Sequence, residues 1–201
     1  LRLDKIIVTN DNIPYSMVCF GGQNLSSLKD AKTSWIEEGL RILETKGPAM
    51  LSIDTLAFRT GKTKGSFYHH FNGREDYIAR LLEHYEKTAT SEVIQLSSDA
   101  VTPRARLAAL TTLTFQLSSR LELAIRAWAL YDPLVRRFQD RMDRRRLSYL
   151  EELHTAGGMA PDAARTRSYR DYALFLGLQQ LSHHHAESEF RSLIKRLFTD
   201  I

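Results

Sequence analysis

The stretch from Ser52 to Arg74, SIDTLAFRTGKTKGSFYHHFNGR, constrains the fold of this chain more than any other. Its spacing predicts two short helices that meet at a tight turn, with a third helix following. Ile53, Leu56 and Ala57 keep one face of the first helix apolar. Gly61 falls where a chain leaving that helix adopts positive φ without a Cβ clash. Thr63 offers a hydroxyl cap for the next helix, which carries Lys64, Gly65, Ser66, Phe67, Tyr68, His69 and His70. Small residues and donors therefore stand at a helix N-terminus, where the backbone dipole already favours anions.

Charge follows the same layout. Between Thr55 and Gly73 there is no Asp or Glu, while Arg59, Lys62 and Lys64 lie inside that window and Arg74 closes it. This predicts an outward basic strip able to meet phosphate. From Leu28 to Asp76, acids such as Glu37, Glu38, Asp54 and Glu75 nearly cancel the bases, so affinity for a nucleic acid must come from placed contacts rather than bulk charge. The net charge of +4 and pI near 9.2 permit such a partner without demanding it.

The segment from Gly61 to Phe71, followed by Asn72, Gly73 and Arg74, resembles the recognition segment of the TetR family of transcriptional regulators. The resemblance implies an all-α fold of about nine helices, with an N-terminal three-helix helix-turn-helix DNA-binding domain and a C-terminal helical ligand-binding and dimerisation domain. It also implies that Tyr68 and Arg74 bond DNA phosphates and that Lys64, Ser66 and His69 touch base edges. Ser52, Lys62, Thr63, Gly65 and His70 complete the expected DNA-binding set. Asp54 departs from relatives that place a guanine-reading arginine there, which moves specificity into the recognition helix that carries Lys64 to His70. Phe67 and Phe71 read as core residues, and His70 fits a packing role as well as a DNA contact.

Residues 1–27 read as an N-terminal extension, either unstructured or an arm that touches DNA or a partner subunit; 28–76 form the reader and 77–201 the remainder. Periodicity places a first helix from Ser27 to Lys46, burying Ala31, Trp35, Ile36, Leu40 and Leu43 and stopping at Gly47 and Pro48. A helix from Arg74 to about Leu96 carries Tyr77, Ile78, Leu81, Leu82 and Tyr85 on one stripe and joins the two parts. Ser97, Ser98 and Asp99 read as a polar break. Thr102 with Pro103, and Asp132 with Pro133, give two cap signals. Further helices are expected over Leu121–Tyr131, from Pro133 to Ala156, from Pro161 to His184 and from Glu187 to Phe198.

The last two helices point to self-association. Apolar residues surround the helix from Pro161, and the final one sets Phe190, Leu193, Ile194, Leu197 and Phe198 at i, i+3, i+4, i+7 and i+8. A single intramolecular neighbour would leave apolar surface wet, so Leu174, Phe175, Leu178, Leu181, Phe190, Leu193, Ile194 and Leu197 are expected at a subunit interface. The resemblance implies a homodimer on a palindromic operator and a small-molecule effector in the second domain. Phe115, Arg126, Trp128, Tyr131 and Tyr172 are the candidate ligand-lining residues, Arg126 reading first as a partner of Glu122 four residues back.

Other classes find less support. The single cysteine, Cys19, excludes an internal disulfide framework and fits a reducing cytoplasm. No apolar run is long enough to span a membrane. No phosphate-cradling loop, nucleophile elbow or His-Glu-x-x-His occurs, so neither catalysis nor a cofactor is expected. His183, His184 and His185 beside Glu187 and Glu189 have metal-like i, i+4 spacing, yet adjacent histidines diverge on a helix and a solvated helix end is the simpler reading. The arginines Arg136, Arg137, Arg141, Arg144, Arg145 and Arg146 read as a salt-bridged surface balanced by Asp140, Asp143, Glu151 and Glu152. The competing functional reading is a ligand-independent helical DNA-binding or protein-interaction module, which needs no enclosed cavity.

Overall fold

The computed structural model describes residues 31–182 and 187–199, and every regular element among them is helical. The reader comprises α1 (Ala31–Lys46), α2 (Ile53–Thr60) and α3 (Lys64–His70), followed by α4 (Arg74–Glu86). α4 runs through a π-helical turn, Lys87–Ser91, into α5 (Glu92–Ser98) without leaving helical backbone angles. Then come α6 (Pro103–Thr114), α7 (Ser119–Ala129), α8 (Pro133–Ala156), α9 (Pro161–Leu181) and α10 (Glu187–Thr199). The expected extension 1–27, the beginning of the first helix, and His183, His184 and His185 lie outside the described residues.

Capping chemistry sets most of the helix starts. Ser52 accepts from Thr55 N at 3.1 Å, Thr63 from Ser66 N at 3.2 Å, and Thr102 from Ala105 N at 3.2 Å. Asp132 accepts from both Leu134 N and Val135 N before the long α8. Gly61 closes α2 at φ 66°, its N–H bonded back to Ala57 and Phe58, so the chain turns at once into the Thr63 cap. The angle between α2 and α3 is thus written into three adjacent residues.

One apolar core joins the reader to the rest of the molecule. Trp35, Leu40, Phe67, Phe71, Tyr77 and Leu81 are buried at its centre, and the same cluster continues through Tyr85, Leu121, Ile125, Trp128, Val135 and Met142. Phe67 meets Trp35 edge-on at 5.5 Å and Tyr77 at 5.3 Å, while the Tyr77 hydroxyl donates to Trp35 O at 2.8 Å. Phe67 and Phe71 therefore hold α3 against α1 and α4, as their core reading expected. The core crosses position 77 unbroken because α4 belongs to both layers: Tyr77, Ile78 and Leu81 pack under α1, and Tyr85, Ala89 and Val93 serve the second layer. A rigid displacement of α4 would carry the reader with it.

The close approach of α1 to α4 depends on Gly39. A Cβ at this position would stand 2.0 Å from Tyr77 Oη and 2.5 Å from Leu81 Cδ1. Tyr77 has no room to withdraw, since its ring is wedged by Phe67 and Phe71 and its hydroxyl is bonded. Gly39→Ala gains helix propensity of up to about 1 kcal/mol, yet overpacking here costs about 1–3 kcal/mol. Denaturant titration is expected to show a net loss of stability; a variant as stable as the parent would refute this account of the contact.

Candidate functional site

The reader presents α3 by its leading turn. Lys64, Gly65, Tyr68 and His69 are exposed, and Ser66 and His70 are half-buried. Tyr68 keeps 59% exposure while its ring rests edge-on against Phe67 at 5.5 Å, so a core residue aims a solvent-facing phenol. A Cβ at Gly65 would meet nothing nearer than Thr63 Oγ1 at 3.7 Å. Internal packing does not require glycine there. Arg74 stands exposed at the first position of α4, with no ion-pair partner among the described residues.

The expected basic strip is largely tied back. Arg59 pairs with Glu38, a carboxylate only 6% exposed that also holds Arg41. Lys62 Nζ donates to Ser34 Oγ at 3.2 Å, fastening the turn to α1. Lys64 forms an exposed ion pair with Asp54 on α2, which lifts the lysine pKa above its ordinary value through the hydrogen bond and charge of that carboxylate. Ser52 and Thr63, both expected at the DNA surface, spend their hydroxyls as helix caps. Free cationic reach in the α2–α3 surface is therefore narrower than the sequence suggested: Lys64 is engaged by Asp54, which leaves Arg74 the more open cation.

A cavity of about 70 Å³ lies between α4–α5, α6, α8, α9 and α10. Apolar groups from Ala89, Val93, Ile94, Leu110, Phe115 and Phe175 form much of its wall. Phe115 meets Phe175, Phe190 and Phe198 in edge-on pairs at 5.4, 6.1 and 5.9 Å. Tyr172 stacks on Phe175 at 6.1 Å. Two of the five expected lining residues, Phe115 and Tyr172, are here. The other three are not. Trp128 is 7% exposed within the main core, and Tyr131 is 87% exposed at the turn between α7 and α8. Arg126 lies behind the cavity, paired with Glu122 at 2.7 Å as its spacing suggested, and also bidentately with Asp143.

Part of the polar floor comes from residues that sequence reasoning had placed on the surface or not singled out, Arg146, Asp143 and Thr90. Arg146, read as part of a basic helix face, points inward: Nη1 meets both oxygens of Glu122 at 3.1 Å, Nε donates to Thr90 Oγ1 at 3.0 Å, and Nη2 to Ala89 O at 3.2 Å. Tyr85 donates to Glu122 at 2.5 Å, and Tyr172 donates to Asp143 at 2.7 Å while accepting from Arg126 at 2.6 Å. Burial pushes the Glu122 carboxyl upward. The Arg146 and Arg126 guanidiniums, with hydrogen bonds from Arg146 and Tyr85, outweigh that and hold its pKa down at about 2. Burial pushes the Tyr172 phenol up to about 12, so it stays protonated at neutral pH.

Neighbouring positions correct the charge reading further. Arg141 pairs with Glu86 on α4, and Arg145 donates to Ser91 at 2.8 Å, so these bases bind α8 to the π turn region rather than to acids of α8. Ser97 and Ser98, read as a polar break, both bond the Tyr149 hydroxyl at 2.9 Å, and Ser97 is fully buried. Asp171, at the cavity edge, is held by Arg167 at 2.9 Å and His154 at 3.0 Å; burial lowers the His154 pKa below its ordinary value, leaving it neutral at pH 7.

The C-terminal helices divide the expected interface residues. Leu178 and Ile194, expected against a partner, are buried inside the chain at 4% and 8% exposure, and Phe175 and Phe190 face Phe115. Leu174 and Leu193 are half-buried. Leu181 and Leu197 remain open at 49% and 40%, joined by Tyr169 at 55%. Of the α10 stripe, Phe190 and Phe198 turn to Phe115 and Ile194 is buried, while Leu197 stays open.

This arrangement recurs in solved structures. A TetR transcriptional regulator from Legionella pneumophila matches with a TM-score of 0.75 over 89% of this chain and 98% of its own, at 11% identity. The fold is that of the TetR-type regulators. A transcriptional regulator from Saccharomonospora viridis in complex with choline matches at TM-score 0.73 and 17% identity over 85% and 94% of the two chains. Reduced NemR of E. coli matches at 0.72 and 18% over 84% and 95%. No family model and no curated protein matches the sequence. Among the described residues no helix is long and apolar enough to cross a membrane, and no three His, Cys, Asp or Glu side chains are placed to hold a metal.

The floor gives a pH test. The folded pKa of Glu122 lies below its ordinary 4.5, so the ion pairs stabilise the fold fully above pH 4.5 and lose that contribution as pH falls toward 2. Glu122→Gln strands the buried Arg146 guanidinium, while Arg126 keeps Asp143, and is expected to cost roughly 3–5 kcal/mol at pH 7. Urea titrations of both proteins from pH 7 to pH 2 should show the gap closing below pH 4.5. A gap that stays constant with pH would exclude an ionised Glu122.

Proposed function

We propose that this chain is a TetR-type transcriptional regulator: a homodimer that binds a palindromic operator through α3 and releases it when a small molecule fills the cavity, acting as a repressor. The observation that carries the reading is the Thr63-capped α3, whose exposed Gly65, Tyr68 and His69 sit on a core shared with the cavity wall. Tyr68 and Arg74 take phosphates, while Lys64, Ser66 and His69 are the base-edge readers. Thr63, Gly65 and Ser52 shape the leading turn, with Lys62 and His70 at its margins. Two readers in one dimer meet successive major grooves when they stand ~34 Å apart.

Release follows from the geometry of α4. Tyr85, Ala89, Thr90 and Val93 line the cavity on the same continuous helix whose Tyr77 and Leu81 support the reader. An occupant that displaces this wall re-aims both recognition helices, and the two half-sites no longer fit together. Fold relatives support the ligand role, one of them being a choline complex. Phe115 and Tyr172 are retained as ligand contacts, and Leu181 and Leu197, with Leu174 and Leu193 beside them, as the partner-facing positions.

Gel-shift titration against genomic fragments at low ionic strength tests the reader. Tyr68→Phe is expected to weaken binding to every sequence, and Lys64→Ala to alter base preference. Gly65→Ala should fold at least as stably as the parent, since its Cβ has room, yet lose DNA affinity because the backbone can no longer approach as closely. Unchanged binding in all three variants would sink the assignment. The subunit interface has its own test: light scattering should report a dimer for the parent and a shift toward monomer for Leu181→Glu with Leu197→Glu, and a parent that is monomeric refutes the paired reader.

A further inference from the structure

Resting on the cavity as an effector site, we infer that its ligand is an uncharged, largely apolar small molecule carrying one hydroxyl or comparable polar group, and that the Gln179 carboxamide is the residue that recognises that group.

The polar side chains around the cavity fall into two classes. Nearly all are already engaged with protein. Tyr85, Thr90, Glu122, Arg146 and Tyr172 belong to the floor network described above, Asp171 is held by Arg167 and His154, and Tyr149 bonds two serines. Thr111 and Thr114 donate to Leu107 O and Leu110 O on their own helix, and Ser118 to Glu44. Gln179 is the exception. It lines the cavity from α9, is 4% exposed, and its Oε1 is buried without a hydrogen-bond partner among the described residues. A buried carbonyl oxygen that gives up water for nothing is rare in native proteins, and this one belongs to a side chain that lines the cavity.

Charge decides the rest. Glu122, Asp143 and Asp171 supply three negative charges beside or directly behind the wall, and Arg126, Arg146 and Arg167 supply three positive ones, each within an ion pair. His154, beside Asp171, is neutral. A cationic ligand finds tyrosine and phenylalanine faces but no carboxylate that is not already neutralised, and an anion finds no spare guanidinium. Either would have to break a buried pair to gain a counter-charge. A neutral molecule leaves every pair intact. At about 70 Å³ the space suits a single ring or short chain, well below the roughly 300 Å³ at which larger ligand pockets begin. A hydroxyl serves the carboxamide at either end, donating to Oε1 or accepting from Nε2.

The test uses the full chain without DNA and four probes of similar size: benzyl alcohol, toluene, benzoate and choline. Calorimetric titration and thermal shift are expected to rank benzyl alcohol first, roughly three- to tenfold tighter than toluene, with benzoate and choline weaker than both. Gln179→Met, which keeps length and apolar packing, should hold toluene as well as the parent while the advantage of the alcohol falls to none. Retained toluene binding shows that the variant is folded and its cavity formed. Tighter binding of benzoate or choline, an alcohol preference that survives Gln179→Met, or failure of every probe would overturn the inference. Gel shifts run in parallel separate the two readings: probes that fail while DNA binding persists sink the ligand class alone, and probes that bind a protein indifferent to DNA sink the regulator alone.

Discussion

The attachment of Arg146 to the continuous helix from Arg74 to Ser98 is the interaction on which the coupling in this structure depends. One guanidinium, carried on α8, bonds a carboxylate on α7, a threonine hydroxyl on the π turn and a backbone carbonyl of the same turn. Such a group is too costly to bury alone, so α7, α8 and the π turn are obliged to meet at one point. The turn itself is under-wound: Glu92 N reaches Lys87 O, five residues back. π turns commonly mark functional positions inside helices, and this one adjoins the cavity wall formed by Ala89 and Thr90. The most weakly wound section of the rod that carries the reader is thus the section an occupant would press against.

From that point the core does the transmitting. Tyr85 bonds Glu122 at the cavity and Tyr77, two turns earlier, bonds Trp35 at the base of the reader. Between them Ile78, Leu81 and Leu82 are almost wholly buried. A wall of this kind cannot compress, because packed interiors shift between discrete arrangements rather than deform smoothly. Pressure on α4 is relieved by moving α1, α2 and α3 as a body. The Gly39 contact reinforces this, since it brings α1 so close to Tyr77 that the two helices have no freedom to slide apart independently.

What the sequence made legible was local. Gly61, Thr63, Thr102, Asp132 and the prolines after the last two act within three residues of themselves, and each starts or stops a helix where expected. Phe67 and Phe71 were identifiable as core because a seven-residue helix has one face to bury. Charged side chains were not legible, for their partners are distant in sequence: Arg146 lies 24 residues from Glu122 and 56 from Thr90, Arg59 lies 21 from Glu38, and Arg141 lies 55 from Glu86. Counting nearby acids balanced the charges on paper and put the Arg146 guanidinium on the wrong side of α8. The faces of α9 were equally illegible, because a helix with apolar residues all round gives no direction to its neighbours. Phe175, Leu178 and Ile194 were therefore assigned outward, whereas Phe175 packs on Phe115 and Leu178 and Ile194 are buried within the chain.

The same reasoning explains why the site residues divide as they do between reader and cavity. On the reader surface Ser52 and Thr63 serve as caps, and Lys64 is held by Asp54 in a solvent-facing pair of small net worth. Exchanging the partner of such an exposed pair costs little. In the cavity the pairs are buried, and breaking one is expensive. An anion at the α2–α3 surface would thus meet a cheap, exchangeable pair, whereas an occupant of the cavity would meet fixed ones.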